Sequence, residues 1–299
     1  MMHLIATLRR GLMMLAFLSA AGAMAQPLGH AEGGVVQPPI PDSRFPSYVD
    51  FEGAWDRPNG NYAIVNGVVS TREAPFFGAG FFRPRMRSWG ALVAWNSREP
   101  NRYGQEYLLL TLSAGRENYV TNLLHWVGLE HQHTACCGIA GAYGPLNKAV
   151  SDTYGRTPSG YDLGVWQFIA GAVYGRCGRQ VFVDGVWGKV STECKDWPTN
   201  LSYTTFGAYR ERASLAHPYR GGLRDWAVVS GVPSTGELVR MRNGEDPRAI
   251  WGARVWGAWH FTTDPASGAQ EPDVSGGGHH LTYAARNDSV ALPTLVKAR

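Results

Sequence analysis

The sequence predicts an all-β domain, a sandwich of two antiparallel sheets with one short helix near residues 234–243. The 299 residues include 37 glycines and 18 prolines, which favour turns, and 11 tryptophans and 13 tyrosines, which favour strands. The apolar segments are short and are separated by turn residues, and no segment repeats at a fixed interval. A capping signal at Ser234 and Glu237 marks the helix.

Residues 1–25 have the pattern of a secretory signal peptide. Arg9 and Arg10 form the charged start, an apolar core follows over residues 11–21, and Ala23-Met24-Ala25 supplies the small residues of a cleavage site. A membrane anchor is the alternative, but the apolar run is shorter than the ~20 residues that a span needs. We therefore expect a secreted, periplasmic or cell-surface protein without a membrane span.

The charge pattern argues against nucleic acid as a partner. The net charge is +4 at pH 7, and both arginines of the predicted signal peptide contribute to it. No block of Lys and Arg residues is present that could follow a phosphate backbone.

Residues 26–45 are rich in Pro and Gly without periodicity, which predicts an extended linker along the domain surface or towards another part. The sandwich is predicted for residues 46–285, and residues 286–299 are predicted to form a C-terminal tail. The first half of the sandwich has these predicted elements: a strand at Tyr48–Glu52, a turn at Arg57–Asn61, a hairpin about Asn66-Gly67, and strands at Trp89–Trp95 and Tyr107–Leu112.

Two segments in the middle of the chain have weaker patterns. Asn118–Glu130 combines helical spacing with β-formers, and the pattern favours a strand. His131–Tyr161 contains Cys136 and Cys137 among many Gly, Ser and Asn residues. It is predicted to be a long irregular loop, and such loops are often functional.

The second half has the clearest patterns. Strands are predicted at Leu163–Ala172, Gln180–Val183, Lys189–Thr192, Ser202–Tyr209 and Leu223–Val229, with a hairpin turn at Asp184-Gly185. In the last of these strands, Leu223, Asp225, Ala227 and Val229 are expected on one face and Arg224, Trp226 and Val228 on the other. The helix then begins at Ser234 and ends at Gly244, and one more strand is predicted within Ala249–Phe261.

Four cysteines in a chain with a predicted export signal favour disulfides over metal or catalytic chemistry. Cys177 and Cys194 are equally distant from the midpoint of the predicted turn, so we expect them to face each other across a hairpin and form a bond. For Cys136 and Cys137, a vicinal disulfide, bonds to the hairpin cysteines and free thiols all stay open.

Residues 160–280 contain five motifs in a characteristic order: Trp166-x-Phe168-x-Ala170, Val181-Phe182-Val183-Asp184-Gly185, Phe206-Gly207-Ala208, Gly221-Gly222-Leu223-Arg224-Asp225, and Pro233-Ser234-x-x-Glu237-Leu238. This order resembles the concanavalin A-like lectin/glucanase superfamily, in particular its laminin G-like and pentraxin-like jelly-roll domains. The resemblance implies a jelly-roll sandwich, and it implies binding of carbohydrate or of a protein partner.

No residue pattern predicts a catalytic site. The Glu-x-Asp-x-x-Glu pattern of the superfamily's glucanases is absent, and Asp50 and Glu52 are more simply interpreted as a solvated strand face. His131 and His133 with the adjacent cysteines could form a metal site, although disulfides explain the cysteines more simply. The resemblance leaves Ca²⁺ as the one cofactor to consider, with Asp152, Asp162 and Asn200 as oxygen donors that share no spacing motif.

Three aromatic residues near predicted loops or strand ends could stack on sugar rings, namely Trp187, Trp197 and Tyr209. Packing in the core is the alternative for each. The sequence therefore predicts a secreted, non-catalytic sandwich that binds carbohydrate or an extracellular protein. The alternatives are a divergent glycoside hydrolase or lyase, and a structural or adhesive component of a surface or virion-like assembly in which residues 26–45 dock.

Overall fold

The computed structural model describes most of the chain after residue 28. The described residues are 29–54, 57–70, 74–85, 90–97, 107–114, 135–143, 153–156, 161–175, 177–188, 190–194, 201–211, 214–216, 218–285 and 290–297. Within them, no helix is long and apolar enough to cross a bilayer.

The described residues form strands and only two short α-helices. The strands are β1 Gly33–Gly34, β2 Ser47–Phe51, β3 Gly53–Ala54, β4 Arg57–Asn66, β5 Phe76–Pro84, β6 Gly90–Ser97, β7 Tyr107–Ala114, β8 Ala135–Tyr143, β9 Thr153–Arg156, β10 Gln167–Val173, β11 Cys177–Val183, β12 Val186–Trp187, β13 Ser191–Cys194, β14 Leu201–Phe206, β15 Tyr209–Glu211, β16 Ser214–Ala216, β17 Gly221–Ser230, β18 Val255–Trp259, β19 Thr282–Ala285 and β20 Thr294–Lys297. The helices are α1 Thr235–Arg242 and α2 Pro247–Trp251, and single 3-10 turns cover 42–44, 252–254 and 265–267.

The strands pair into two large antiparallel sheets, which confirms the predicted all-β sandwich. The first sheet runs β1-β12-β11-β10-β5-β17-β2-β20, with β13 beside β11 and β18 beside β17. The second sheet runs β19-β4-β14-β6-β7-β8-β9, with β3 beside β4. Residues 33–34 and 294–297, which the sequence places outside the sandwich, each add a strand to the first sheet.

The first sheet is buried on both faces. One face packs against the second sheet, where Phe51 and Trp226 meet Trp95 and Phe206 in a shared core. The other face is covered by the helices and by residues near the N-terminus, so that Phe81 and Phe168 pack with Leu238, Met241, Trp251, Ile40 and Phe45. This second layer, built on the outer face of the sheet, provides the walls of the candidate site described below.

A β-bulge in β17 changes the predicted distribution of side chains. The pairing of β17 with β5 shifts between Arg224 and Ala227, and Asp225 has a positive φ of 45°. Leu223 and Trp226 therefore share the inner face, whereas the alternating pattern puts them on opposite faces. The prediction that Leu223 shares a face with Ala227 and Val229 was wrong, because the extra residue of the bulge reverses the alternation of all side chains after it.

The turn and the helix agree with the sequence. Asp184 and Gly185 have φ values of 43° and 99° and connect β11 to β12, as a tight hairpin requires. At α1, the side chain of Ser234 accepts a hydrogen bond from the Glu237 amide at 3.2 Å, and the Ser234 amide donates to Glu237 Oε2 at 2.7 Å.

The second helix, α2, was not predicted. It begins at Asp246, whose side chain accepts from the Arg248 amide, and it occupies part of the segment predicted as a strand at 249–261.

Three other predictions of turns or loops were wrong. Residues 57–61 begin β4 instead of forming a turn, and β4 ends at Asn66 without the predicted hairpin at Asn66-Gly67. The segment predicted as an irregular loop, 131–161, contains β8 and β9, and Cys136 and Cys137 lie on β8.

The backbone pairs Cys177 of β11 directly with Cys194 of β13. The two residues are therefore opposite each other across the strands, as predicted. Their side chains lie outside the described part of the structure, so the disulfide stays a prediction. The segment 118–130 and the predicted signal peptide also lie outside the described residues.

Candidate functional site

A charged pocket opens on the outer side of the first sheet, between the β17 bulge, the end of β18 and the loop that joins the two helices. Its volume is about 160 Å³. We call it the charged pocket, and its defining residues are Arg44, Phe81, Asp225, Glu245, Asp246 and His260.

An aspartate–histidine pair forms one wall of the charged pocket. His260 Nδ1 lies 2.7 Å from Asp225 Oδ1, and Arg224 Nε lies 3.2 Å from the same oxygen. The hydrogen bond that His260 donates to Asp225 raises the pKa of His260 above its ordinary value because the carboxylate favours the charged imidazolium. His260 donates from Nδ1 in this arrangement, which leaves Nε2 free to contact a ligand.

Backbone strain accompanies this pair. Of the three non-glycine residues with positive φ in the described part of the chain, one is Asp225 and another is Phe261, which follows His260 and has φ 57°. Such backbone conformations cost free energy and tend to occur at functional sites. Here the strained backbone lies at Asp225 and directly after His260, so it helps to orient both side chains of the pair.

Arg44 is the positively charged residue of the charged pocket. Its guanidinium stacks over the Phe81 ring, 4.5 Å from the centroid, and Nη1 donates to the Arg242 carbonyl. Burial lowers the pKa of Arg44, while the nearby charge of Asp225 acts in the opposite direction. Among the described residues no ion pair joins Arg44 to Asp225, so a positive and a negative group line the same pocket without direct contact.

The loop between the helices closes the rim with two acids that are already paired. Glu245 binds Arg240, and Asp246 Oδ2 lies 2.7 Å from Arg248 Nη2. These side chains give the rim a mixed charge that is balanced by neighbouring arginines.

A buried carboxylate fixes the segment after His260. Glu271 Oε2 accepts hydrogen bonds from the amides of Thr262 and Thr263, at 3.1 and 2.9 Å, and from the Tyr283 hydroxyl at 2.8 Å. The position of His260 is therefore supported by the second sheet through β19, and we expect little movement of its imidazole on ligand binding.

The charged pocket offers both donors and acceptors but no evident metal site. In the part of the chain that the structure describes, no cluster of three or more His, Cys, Asp or Glu residues could hold an ion. A guanidinium, an imidazole and a carboxylate around a small pocket with apolar surface are suited to a neutral ligand with several hydroxyl groups.

Of the aromatic residues predicted to bind sugar, Trp187 is described in full. It is 2% exposed, its ring stacks on His30 with centroids 4.2 Å apart, and its Nε1 donates to Thr235 Oγ1 at 2.9 Å. One face of the ring is therefore occupied by the protein itself. Its role as a ligand contact stays a prediction, and it would require His30 to move.

The remaining predicted site residues are not brought together. Asp162 is exposed, and its amide donates to the side chain of Gln167. Trp197, Asp152, Asn200, His131 and His133 lie outside the described residues, as does the side chain of Tyr209.

Asp50 and Glu52, the acid pair considered for catalysis, are held by arginines. Arg85 Nη2 lies 2.8 Å from Asp50 Oδ2 and also contacts Glu52, whose other oxygen lies 3.0 Å from Arg220 Nε. Asp50 is buried and Glu52 is half-buried, and both are paired with arginines. The two acids therefore do not form a freely solvated strand face.

Structural comparison shows the fold. A protein from Bacteroides ovatus, named as a candidate carbohydrate binder, superposes with a TM-score of 0.51 at 11% identity, over 84% of this chain and 60% of that one. The chain therefore has a jelly-roll sandwich fold. It spans about three fifths of the length of the Bacteroides protein. At the level of sequence, no protein-family model and no curated protein matches it.

Two other jelly-roll structures are more distant. The SAP-like pentraxin of Limulus polyphemus has a TM-score of 0.48 at 12% identity, over 83% of this chain and 97% of that one. The CBM40 domain of a Ruminococcus gnavus sialidase, bound to sialyllactose, has a TM-score of 0.42 at 10% identity, over 57% of this chain and 84% of that one. At these scores we draw no functional argument from them.

Sequence patterns missed the charged pocket because its defining residues come from five separate segments. Arg44 lies in the predicted linker, and His260 lies without any motif in the segment 249–261 where a strand was predicted. The one available signal was the Arg224-Asp225 pair within an otherwise apolar strand, since charged residues at a central strand position need a local explanation.

Proposed function

We propose that the protein is an exported, non-catalytic jelly-roll domain that binds a saccharide in the charged pocket. The observation that carries the proposal is that the Arg44 guanidinium and the Asp225 carboxylate line one pocket of about 160 Å³ without forming an ion pair with each other. Export is supported by the signal-peptide pattern of residues 1–25.

The chemistry of a sugar diol fits this arrangement. Adjacent hydroxyl groups can donate to a carboxylate and accept from a guanidinium at the same time, which satisfies both charges without a direct ion pair. The volume suits one sugar residue, so we expect recognition of a chain end or a single branch residue. The exposed nitrogen of His260 would add one more contact to a hydroxyl.

Binding is a better explanation than turnover. Asp225, Glu245 and Asp246 are each paired with a cation. A glycosidase needs one carboxyl group that stays protonated as the general acid. The hydrogen bond from Arg240 lowers the pKa of Glu245, and the hydrogen bond from Arg248 lowers the pKa of Asp246, which is the opposite of what a general acid requires.

Glycan-array screening followed by calorimetry tests the proposal. For a saccharide that binds, Asp225→Asn and Arg44→Met should each raise Kd by about 10- to 100-fold, because each removes a hydrogen bond to a charged group. Thr282→Ala is the matched control. Thr282 lines a separate neutral pocket with Asn66 and His280, so the control variant should keep the wild-type Kd.

Two results would contradict the proposal. One is a saccharide whose Kd is unchanged in both charged-pocket variants but raised in Thr282→Ala. The other is no saccharide ligand at all in a folded preparation, together with capture of an extracellular protein that needs Arg44.

A further inference from the structure

The segment of residues 29–38 lies in a groove at one end of the first sheet. The groove is bordered by β11, β12 and the start of α1, and we call the segment the arm. It is held by contacts with its backbone and with one ring, and these contacts do not depend on how the arm is joined to the rest of the chain.

Gln180 provides the central contact. This residue is fully buried, its Oε1 accepts from the His30 amide at 2.7 Å, and its Nε2 donates to the His30 carbonyl at 2.8 Å. Tyr174 Oη donates to Gln180 Oε1 at 2.9 Å, which fixes the orientation of the amide. The side chain therefore binds both backbone groups of one arm residue, as a neighbouring strand would.

An aromatic contact holds the His30 side chain. Its imidazole stacks on Trp187 at 4.2 Å with an angle of 18° between the rings, and Nε2 lies 2.8 Å from the Pro233 carbonyl. A carbonyl only accepts, so Nε2 carries the proton in this contact. The groove thus has a place for one flat ring that has a donor at its edge.

Strand pairing and a buried arginine continue the contacts towards the C-terminal end of the arm. Gly33 and Gly34 pair antiparallel with Trp187 and Val186, and the Gln37 amide donates to the Asp184 carbonyl at 2.8 Å. Arg242, which is 4% exposed, donates to the Pro38 carbonyl.

Gly34 marks the tightest point of the groove. A side-chain carbon at this position would lie 2.1 Å from the Gly185 carbonyl oxygen, and φ is 145°. Only glycine fits there, so the groove selects the sequence of its occupant as well as its extended backbone.

Release of the arm leaves the groove side chains with partners. Gln180 would lose both bonds to His30 but keep those with Tyr174 and Gly188, and Arg242 would lose Pro38 but keep Asp184. The groove can therefore open and accept an equivalent occupant. The arm is followed by Pro39-Ile40-Pro41, a short connection in which Ile40 is buried.

We propose that the groove is a binding site for an extended peptide and that the arm of a second copy of the chain fills it in an arm-exchanged dimer. The contacts are the same whether the arm comes from the same copy or from another, so exchange loses none of them. Val35 and Val36 are 76% and 72% exposed on the bound arm, which leaves apolar surface for contact between the two copies. The proposal does not depend on saccharide binding.

The first experiment measures peptide binding to an opened groove. The full chain with Gly34→Val should release its own arm, seen as faster amide exchange at Val186 and Trp187. It should then bind a labelled peptide of residues 29–38, with saturable fluorescence anisotropy. The control peptide carries the same Gly34→Val change and should bind at least tenfold more weakly. Unchanged amide exchange, or equal binding of the two peptides, would overturn the proposal.

The second experiment identifies the occupant. The Gly34→Val chain has an intact groove and an impaired arm, whereas a Gln180→Leu chain has an intact arm and an impaired groove. Mixed, they should form a heterodimer in sedimentation velocity, while each alone stays monomeric at the same concentration. Peptide binding without a heterodimer would overturn the second copy as the occupant, and the peptide experiment does not require Gln180→Leu to fold.

Discussion

The hydrogen bond between Asp225 and His260 predicts a measurable property of one residue. Since the Asp225 carboxylate raises the pKa of His260, Asp225→Asn should lower that pKa towards the ordinary value of about 6.5. NMR titration of the imidazole nitrogens measures it. Asp246→Asn is the control, because Asp246 makes no hydrogen bond to His260 and should change the pKa much less. An equal effect of both variants would show that general charge, and not the hydrogen bond, sets the pKa.

The same scale shows where prediction from sequence stops. Trp187 could be recognised as an aromatic residue at a hairpin, but its solvent exposure depends on His30, which lies 157 positions earlier in the chain. Arg44 is an ordinary residue of a proline-rich segment until Phe81 places its guanidinium beside the pocket. Neither fact follows from local pattern, because each depends on a contact between distant segments.

Helix α1 permits a prediction for a single element. Ser234→Ala removes the cap on the Glu237 amide and should lower the free energy of unfolding by about 1 kcal/mol. Gly236→Ala is the matched change of opposite sign. Its new methyl group would have no neighbour within 4 Å, so the variant should gain about 0.5–1 kcal/mol from helix propensity. Urea denaturation measures both, and a loss of stability in Gly236→Ala would contradict this account of the helix.

The elements were predictable where local pattern and tertiary packing agree. The Asp184-Gly185 turn and the capped helix need only a few adjacent residues, and both are present. The β17 bulge was not predictable, since the extra residue is accommodated by pairing with β5 and by the close approach of Trp226 to Gly80. At residues 57–61, Pro58 is the second residue of β4, a strand end where proline is tolerated.

At the scale of the whole molecule, the sheet order brings together segments that the sequence separates. The first sheet pairs β5 with both β10 and β17, and its edges are strands from near the two ends of the chain. Because both of its faces are buried, its central strands have apolar residues on each side, and alternation alone cannot show which face meets the second sheet. The fold class was therefore predictable, and the location of the site on the outer face was not.

The stability of the whole molecule should fall as pH rises from about 4 to about 6. Burial raises the pKa of Asp50 from 3.8 to about 6, and Arg85 only partly opposes this. Between these values the folded state holds a proton that the unfolded state releases, so the unfolding free energy decreases with pH, by about 2 kcal/mol in all. Asp273 has the opposite effect at lower pH. Burial raises its pKa, but hydrogen bonds from Ser275, Ala258 and His279 outweigh burial, and the pKa is lowered.

These opposing groups predict a stability maximum in mildly acidic solution. Urea unfolding at several pH values measures the curve, and Asp50→Asn should make the decline between pH 4 and 6 smaller by up to about 2 kcal/mol. Asp184, whose pKa burial also raises, keeps its own contribution in the variant. In that variant Arg85 keeps Glu52 as a partner, so the fold should persist. Asp264→Asn is the control, because Asp264 is an exposed residue that caps a single 3-10 turn. An equal decline in the wild type and in Asp50→Asn would mean that Asp50 is already ionised at pH 4 and that Arg85 outweighs its burial.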